Sequence, residues 1–340
     1  MTIQIQWREF IVTLCGVTAA VGAKVRTLAH YVVYLAPSRT AIIKAGALLP
    51  PLLRNGLVLR LLSAIATRCN DLPISLNTNL GIGRKLRVKV SSSMPEILFG
   101  KPSLLIGERS SLDLALALFQ HASCFIDVGP NIGFYIFYLR YRDQSDKPIY
   151  FFEPDQKLFE QLELNIGTNK LKHVTGYQVA LGNSPGKTVL VKIREDGNSL
   201  NFTNGDWSYP ILEPVEVERT SFADFVAGHS LEHVCAKIYL KGNEEGFFDG
   251  TKSTLGQLDY LIIEILNPAI KCGLPSRIIR EGNFHAYYIN DYKLEHSLFG
   301  EYEYMEPFYN WLFCVEGPTS LRTKLRRTRF RVVDAKGVSA

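Results

Sequence analysis

The chain has 340 residues, 46% of them hydrophobic and 21% charged, with a net charge of +5. That balance excludes a disordered or low-complexity protein, and the length suffices to bury a substantial core in one large domain or two. The six cysteines (Cys15, Cys69, Cys124, Cys235, Cys272 and Cys314) form no C-x-x-C pair, which argues against a disulfide framework or a zinc site and for a reducing, cytoplasmic setting.

Residues 1 to about 75 read as helical. The uncharged run Phe10 to Ala23 is shorter than the ~20 residues a membrane span needs, and Arg8 and Glu9 cancel, so a secretory signal is not indicated. Leu57 to Ala66 carries an apolar face, set apart by Pro50-Pro51 from the segment before it. That face suits packing on a neighbouring domain, dimerisation or peripheral contact with a membrane, and the sequence does not choose among them. We place the boundary of this helical region at residue 82.

From Gly83 the pattern turns to alternation. Leu86, Val88 and Val90 interleave with Lys85, Arg87 and Lys89, which predicts a half-exposed strand. Leu98 to Ile106 is β-like, and Ser110 is placed to cap a helix running to about His121. Cys124 to Val128 then reads as a strand buried on both faces, followed by Gly129-Pro130-Asn131-Ile132-Gly133 and an apolar helical segment from Phe134. Ile149 to Phe152 is a second buried strand that ends at Glu153-Pro154. An amphipathic helix follows from Asp155 to Ile166, then a third strand from Val174 to Ala180.

Residues 183 to 219 hold two strand-like pieces, Thr188 to Ile193 and Val215 to Arg219, around a polar stretch with Trp207 and Tyr209. This segment is either a lid whose aromatics stack on a ring or a surface hairpin with packed aromatics. His233 to Leu240 and Leu258 to Leu266 are the fourth and fifth strands, and Ser276 to Glu281 a short helix. His285 to Ile289 and Trp311 to Val315 are the last two strands, flanking an aromatic region with Phe299, Tyr302, Tyr304, Phe308 and Tyr309 that suits packing. Leu321 to Val333 carries six Lys and Arg and no acid, so +5 less these six leaves −1 for the rest. It reads as a basic tail, 321–340, that is a solvated terminus, an edge element of the domain or a contact for an acidic membrane surface. No specific nucleic-acid partner is indicated.

The glycine turn and the acid after the second strand carry the functional reading. In an open α/β sheet, ligands bind at the carboxyl ends of the strands where strand order reverses. Asp127, Gly129, Asn131 and Gly133 form the first half of such a site, and Glu153 before Pro154 is placed to accept both hydroxyls of a ribose. A dinucleotide site calls for G-x-G-x-x-G, whose middle glycine admits the pyrophosphate. Here Asn131 stands at that place. The pattern therefore disfavours a nicotinamide or flavin dinucleotide and suits a nucleoside without phosphates, such as S-adenosylmethionine.

These residues resemble the FkbM-type methyltransferases. The resemblance rests on Asp127-Val128-Gly129-Pro130-Asn131-Ile132-Gly133, on Phe152-Glu153-Pro154 with Leu162 and Asn165, on Val179-Ala180-Leu181-Gly182, on Thr220 to Phe225, and on Lys237-Ile238 with Gly242 and Glu244. It runs from about Glu108 to about Glu316. It implies a class I methyltransferase fold, that is, a Rossmann-like, doubly wound, mostly parallel seven-stranded sheet with an antiparallel C-terminal hairpin, over residues 83–320. It also implies S-adenosylmethionine as methyl donor, with Val179 and Ala180 against the adenine, and O-methylation of a small molecule or glycan. The family pattern Lys-Ile-Asp-x-Glu-Gly-x-Glu is broken, because Tyr239 and Lys241 replace its two acids. Tyr239, Lys241 and Glu244 are the expected residues around the acceptor, with no metal. The same departure fits a degenerate fold that binds a ligand or partner without turnover.

Overall fold

The computed structural model describes residues 74–78, 86–90, 102–131, 133–194, 197–200, 214–240, 242–266, 269, 273–298 and 308–335. The expected N-terminal helices, the aromatic trio Phe299, Tyr302 and Tyr304, and the pair Trp207 and Tyr209 lie outside them. Strands β1 (Ile74–Thr78) and β2 (Leu86–Val90) form a two-stranded sheet, the second with the predicted bounds. Everything from Pro102 onward belongs to one compact unit.

That unit opens with helix α1 (Pro102–Phe119), which replaces the β-like piece expected up to Ile106. Pro102 starts the helix, where its missing N–H is no loss, and Ser110 is a buried residue inside the helix, not its cap. Next come β3 (Cys124–Val128), α2 (Phe134–Arg142), β4 (Ile149–Phe152), α3 (Gln156–Thr168) and β5 (Val174–Tyr177). After an inserted small sheet the alternation resumes with α4 (Phe222–Gly228), β10 (Val234–Ile238), α5 (Glu244–Asp249), β11 (Leu258–Leu266), α6 (Leu274–Gly282), β12 (His285–Asn290), β13 (Lys293–Ser297), β14 (Phe308–Cys314), α7 (Pro318–Leu325) and β15 (Arg331–Val333).

The main sheet has the order β15-β13-β12-β14-β11-β10-β3-β4-β5. The pairs joining β5, β4, β3, β10 and β11 are parallel, whereas β14 runs antiparallel to both β11 and β12. From β5 to β12 this is the seven-strand order of the class I methyltransferase fold, with β3 and β10 side by side in its interior. Successive crossovers run outward from β3 to β5 and then in the other direction from β10, so the reversal falls between β3 and β10. Every residue of these two strands is buried. The core beneath them joins Ile126, Val128, Ile238, Phe247, Ile263 and Trp311 across strands and helices.

Two features depart from the expectation, and the basic segment takes one of the forms expected of it, an edge element of the domain. The third strand stops at Tyr177, and Ala180 instead opens β6 (Ala180–Gly182) of a separate sheet, β6-β9-β7-β8, completed by β7 (Gly186–Arg194), β8 (Gly197–Leu200) and β9 (Val215–Ser221). Two short strands, β13 and β15, extend the main sheet beyond the seven. The basic segment from Leu321 is not a free tail: Leu321 and Leu325 are buried, and Lys324 reaches the carboxylate of Glu316 and the hydroxyl of Tyr260. With His121, Arg326 and Arg327 it lines an open groove of about 690 Å³. This groove lies at the amino ends of the strands, away from the glycine turn. Among the described residues, no helix is long and apolar enough to cross a membrane.

Candidate functional site

The site is built where three strands end together. The Tyr239 N–H donates to the Val128 carbonyl at 3.0 Å, and the Gly129 N–H to the Phe152 carbonyl at 3.1 Å. The ends of β3, β4 and β10 are thereby tied at one level. The turn after β3 is tightly curled, with left-handed backbone at Gly129 (φ 69°), Asn131 (φ 54°) and Gly133 (φ 86°). Gly133 closes it by donating to the Pro130 carbonyl at 2.9 Å and begins α2.

Gly129 is required by packing on backbone, and Gly133 by its left-handed φ of 86°. A Cβ on Gly129 would stand 2.3 Å from the Tyr239 carbonyl oxygen, and one on Gly133 would stand 2.5 Å from Cδ1 of Leu162. Glycine here lets the turn lie against β10 and α3, beyond the ligand approach that the motif suggested.

Asp127 is fully buried and stands in register with Lys237 on β10. The Lys237 ammonium donates to Asp127 Oδ1 at 3.0 Å and to the Gly129 carbonyl at 3.0 Å. It lies 5.0 Å from the ring centre of Tyr135 and 5.2 Å from that of Tyr239, within cation–π range. Burial raises the pKa of Asp127, and the adjacent ammonium pulls it back. Its second oxygen, Oδ2, is buried without a hydrogen-bond partner among the described residues.

Glu153 follows β4 directly and is only 4% exposed. Its backbone N–H continues the pairing to the Tyr177 carbonyl at 3.2 Å, which fixes where its side chain starts. Oε1 accepts the Asp155 N–H at 3.1 Å, and the Asn131 backbone also donates to the carboxylate. Burial is the larger influence and pushes its pKa up to about 8. Pro154 ends the strand, and Asp155 is occupied in capping α3 through the Leu158 N–H at 2.9 Å. The structure therefore brings Asp127, Gly129, Asn131, Gly133 and Glu153 together at the ends of β3 and β4.

It does not add Val179 and Ala180 to them as one unit. Val179 packs on the main core, while Ala180 belongs to a separate small cluster with Leu190 and Val217 in the second sheet. The strand break at Tyr177 is the physical reason. Tyr239 stands at the end of β10 with its ring against Lys237, and Lys241 lies outside the described residues. Glu244 opens α5 and is 1% exposed. Its Oε1 accepts the Gly242 N–H at 2.9 Å, Oε2 is buried without a partner, and burial raises its pKa.

Sequence reasoning missed Lys237 as a site residue, although the signal was present. A lysine inside the buried run Val234-Cys235-Ala236-Lys237-Ile238 needs a charged partner. On β3 the residue directly opposite it is the carboxylate Asp127.

No protein-family profile and no curated protein sequence matches the chain. Among solved structures it is similar to the METTL16 MTase domain in a second crystal form (TM-score 0.43, 9% identity, covering 84% of this chain and 92% of that one). It is also similar to an rRNA methylase from Streptococcus thermophilus (TM-score 0.37, 11% identity, 61% and 95% covered). A third is precorrin-6y C5,15-methyltransferase from Geobacter metallireducens (TM-score 0.36, 9% identity, 62% and 91% covered). At such values the fold rests on the strand order itself.

Proposed function

We propose that the protein binds S-adenosylmethionine and transfers its methyl group, with a hydroxyl of a small molecule or glycan as acceptor. One observation carries this reading: a buried carboxylate, Glu153, stands at the carboxyl end of β4, next to β3 in a class I strand order and beside a turn that lacks the middle glycine of dinucleotide sites. The residues present fit a nucleoside with an amino-acid tail. Glu153 has acceptor capacity for ribose hydroxyls, and Asp127 Oδ2 is a buried acceptor without a donor. The bound sulfonium supplies an activated methyl group, so the protein's task is largely to place the acceptor in line. Glu153 orients the nucleoside through the ribose. Glu244, whose pKa burial raises, is the group suited to take the proton of an acceptor hydroxyl. Tyr239 walls the end of β10 and keeps water from the Asp127–Lys237 pair.

A second reading, ligand binding without turnover, is favoured by the engagement of the Tyr239 ring with Lys237 where the family pattern has an acid. Calorimetry with S-adenosylmethionine and S-adenosylhomocysteine, using NAD as control, tests the cofactor. Saturable binding of the first two and none of NAD is expected, and no binding of either overturns the proposal. Screening of acceptors, with Glu244→Gln as a variant that should keep cofactor binding and lose turnover, separates the two readings.

A further inference from the structure

We infer that the groove at the amino ends of the strands is a binding site for a phosphomonoester carried on a small, polar, non-aromatic molecule. Arg326 and Arg327 supply the positive charge, with His121 on the wall that comes from α1. The inference is independent of the cofactor reading, because the groove lies away from the glycine turn.

The groove, of about 690 Å³, is formed by the end of α1 (Ala117, Gln120, His121) and by the end of α7 with the turn after it (Lys324, Arg326, Arg327). Among the described residues that line it there is no acid. Lys324 is held by the buried Glu316 carboxylate and the Tyr260 hydroxyl, so its charge is balanced from within the protein. Arg326 and Arg327 are exposed and make no ion pair among the described residues. Two unbalanced guanidiniums in one groove match a dianion. A phosphomonoester carries a charge of about −1.5 to −2 at neutral pH and presents three acceptor oxygens. The planar guanidinium meets such oxygens in pairs.

The helix ends do not account for these cations. At the end of α7 the carbonyls of Thr323 and Leu325 accept the backbone N–H groups of Arg326 and Thr328, and Leu325 also accepts the Thr328 hydroxyl. At the end of α1 the carbonyls of Leu116, Leu118 and Phe119 accept backbone N–H groups. The Lys147 ammonium donates to the Phe119 carbonyl at 3.2 Å and to that of Gln120 at 2.9 Å. These carbonyls are therefore met without either guanidinium.

Size and lining narrow the ligand. The volume lies within the roughly 300–1,000 Å³ of small-molecule sites and exceeds that of a lone phosphate, so an organic body accompanies the charge. No aromatic side chain lines the groove, which leaves nothing on which a nucleobase could stack. Nor does any exposed large apolar residue line it, as insertion into a lipid surface requires. Gln120, Ser320 and Thr323 instead offer polar side chains to a hydroxylated body.

His121 reports the field in the groove. Burial and the charges of Lys324 and Lys147 lower its pKa, and Glu316 opposes them. A dianion seated beside it acts in the opposite direction to the two lysines and draws a proton onto the imidazole.

The test is an NMR titration of the full chain at physiological ionic strength, following the His121 imidazole, which is assigned by its loss in His121→Gln. The probes are ribose 5-phosphate, ribose, an oligouridylate and phosphatidylserine vesicles. Ribose 5-phosphate should shift the resonance saturably and raise the His121 pKa, whereas ribose should do neither. Arg326→Ala/Arg327→Ala should weaken ribose 5-phosphate at least about 10-fold, the size of lost hydrogen bonds between charged groups. Arg329→Ala/Arg331→Ala removes the same charge from exposed arginines outside the groove and should stay within about threefold, since distant surface charges are screened. Arg326→Lys/Arg327→Lys keeps the charge without the fork; it should fall between the two and serves if the alanine variant does not fold. A resonance that ribose 5-phosphate leaves unmoved overturns the inference, as does an equal response to ribose. Equal losses in the two alanine variants overturn it too, because the effect is then one of overall charge. A response to oligouridylate or vesicles that ribose 5-phosphate does not give assigns the groove to a nucleic-acid backbone or a membrane instead.

Discussion

If Glu153 holds the ribose, binding must be coupled to its ionisation, and the coupling has a definite size. In the free protein burial pushes its pKa up to about 8, so at neutral pH the group is largely protonated. Ribose hydroxyls donate most strongly to the ionised form. Two charge-assisted hydrogen bonds of roughly 1.5–3 kcal/mol each would bring the bound pKa down to between about 4 and 6. Binding then requires deprotonation across the window between the two values. The ionised fraction of the free protein rises from about 1% at pH 6 to about half at pH 8, so affinity should rise about 25- to 50-fold over that interval, depending on where the bound pKa falls, and only about twofold beyond it. 5′-Methylthioadenosine is the ligand to use, because it has the ribose and no tail, and isothermal calorimetry is the assay. Measured at pH 7 in buffers of different ionisation heat, the titration should also report close to one proton released per ligand. Glu153→Gln should flatten the profile. Equal affinity at pH 6 and pH 8, or affinity falling as pH rises, would refute the ribose assignment.

Other outcomes follow from the same contacts. The raised Glu153 pKa also predicts a pH-dependent stability: the folded state holds this proton to about 8, the unfolded chain only to 4.5, so the contribution is complete below 4.5 and lost as pH rises to 8. Glu153→Gln should therefore gain on the unsubstituted protein by a few kcal/mol across that window in urea denaturation; parallel curves would show the group to be better solvated than its burial indicates. Lys237→Met alone leaves Asp127 buried without its partner and should destabilise by about 3–5 kcal/mol, with much of this recovered by adding Asp127→Asn. Gly129→Ala must place a Cβ 2.3 Å from a backbone oxygen at φ 69°, and a melting temperature unchanged from the original would contradict the packing of the turn on β10. Ending the chain at Gly317 exposes the partners of buried Leu321 and Leu325, at about 1.5–3 kcal/mol per side chain, and should lower the melting temperature of the whole unit.

The central strands were legible because burial on both faces leaves an unmistakable record in sequence. Leu258 to Leu266 appears as a strand with the bounds read from its apolar run, and Cys124 to Val128 likewise. The strands that were missed lack that record. In Lys293–Ser297 only Leu294 is fully buried, and in Arg331–Val333 only Val332, so neither shows a run of apolar residues. The division after Tyr177 was hidden for a different reason. Strand periodicity does not say which sheet a residue joins, and Gln178 and Val179 carry no glycine or proline to mark the change. For the site, the turn and Glu153 were legible because their residue types are unusual at strand ends. The partner of Asp127 was not, since a cross-strand register decides it.

That register also gives the Tyr239 departure a physical sense. Three carboxylates, Asp127, Glu153 and Glu244, are buried near the ends of β3, β4 and β10, and burial raises the pKa of each. Among the described residues, only Asp127 of the three has a cation in direct contact. A further acid at position 239 would stand beside Lys237 and compete for its ammonium, or else add a fourth charge to an enclosed end of the sheet. A phenol ring there stabilises the same ammonium through its π face while bringing no charge. Lys237 thus keeps Asp127 and the Gly129 carbonyl as its acceptors, and the turn that would receive a nucleoside stays in place. The loss of the acid therefore removes a possible base but strengthens the binding half of the site. Under the proposed function, proton removal from an acceptor would fall to Glu244, whose buried carboxylate has a raised pKa.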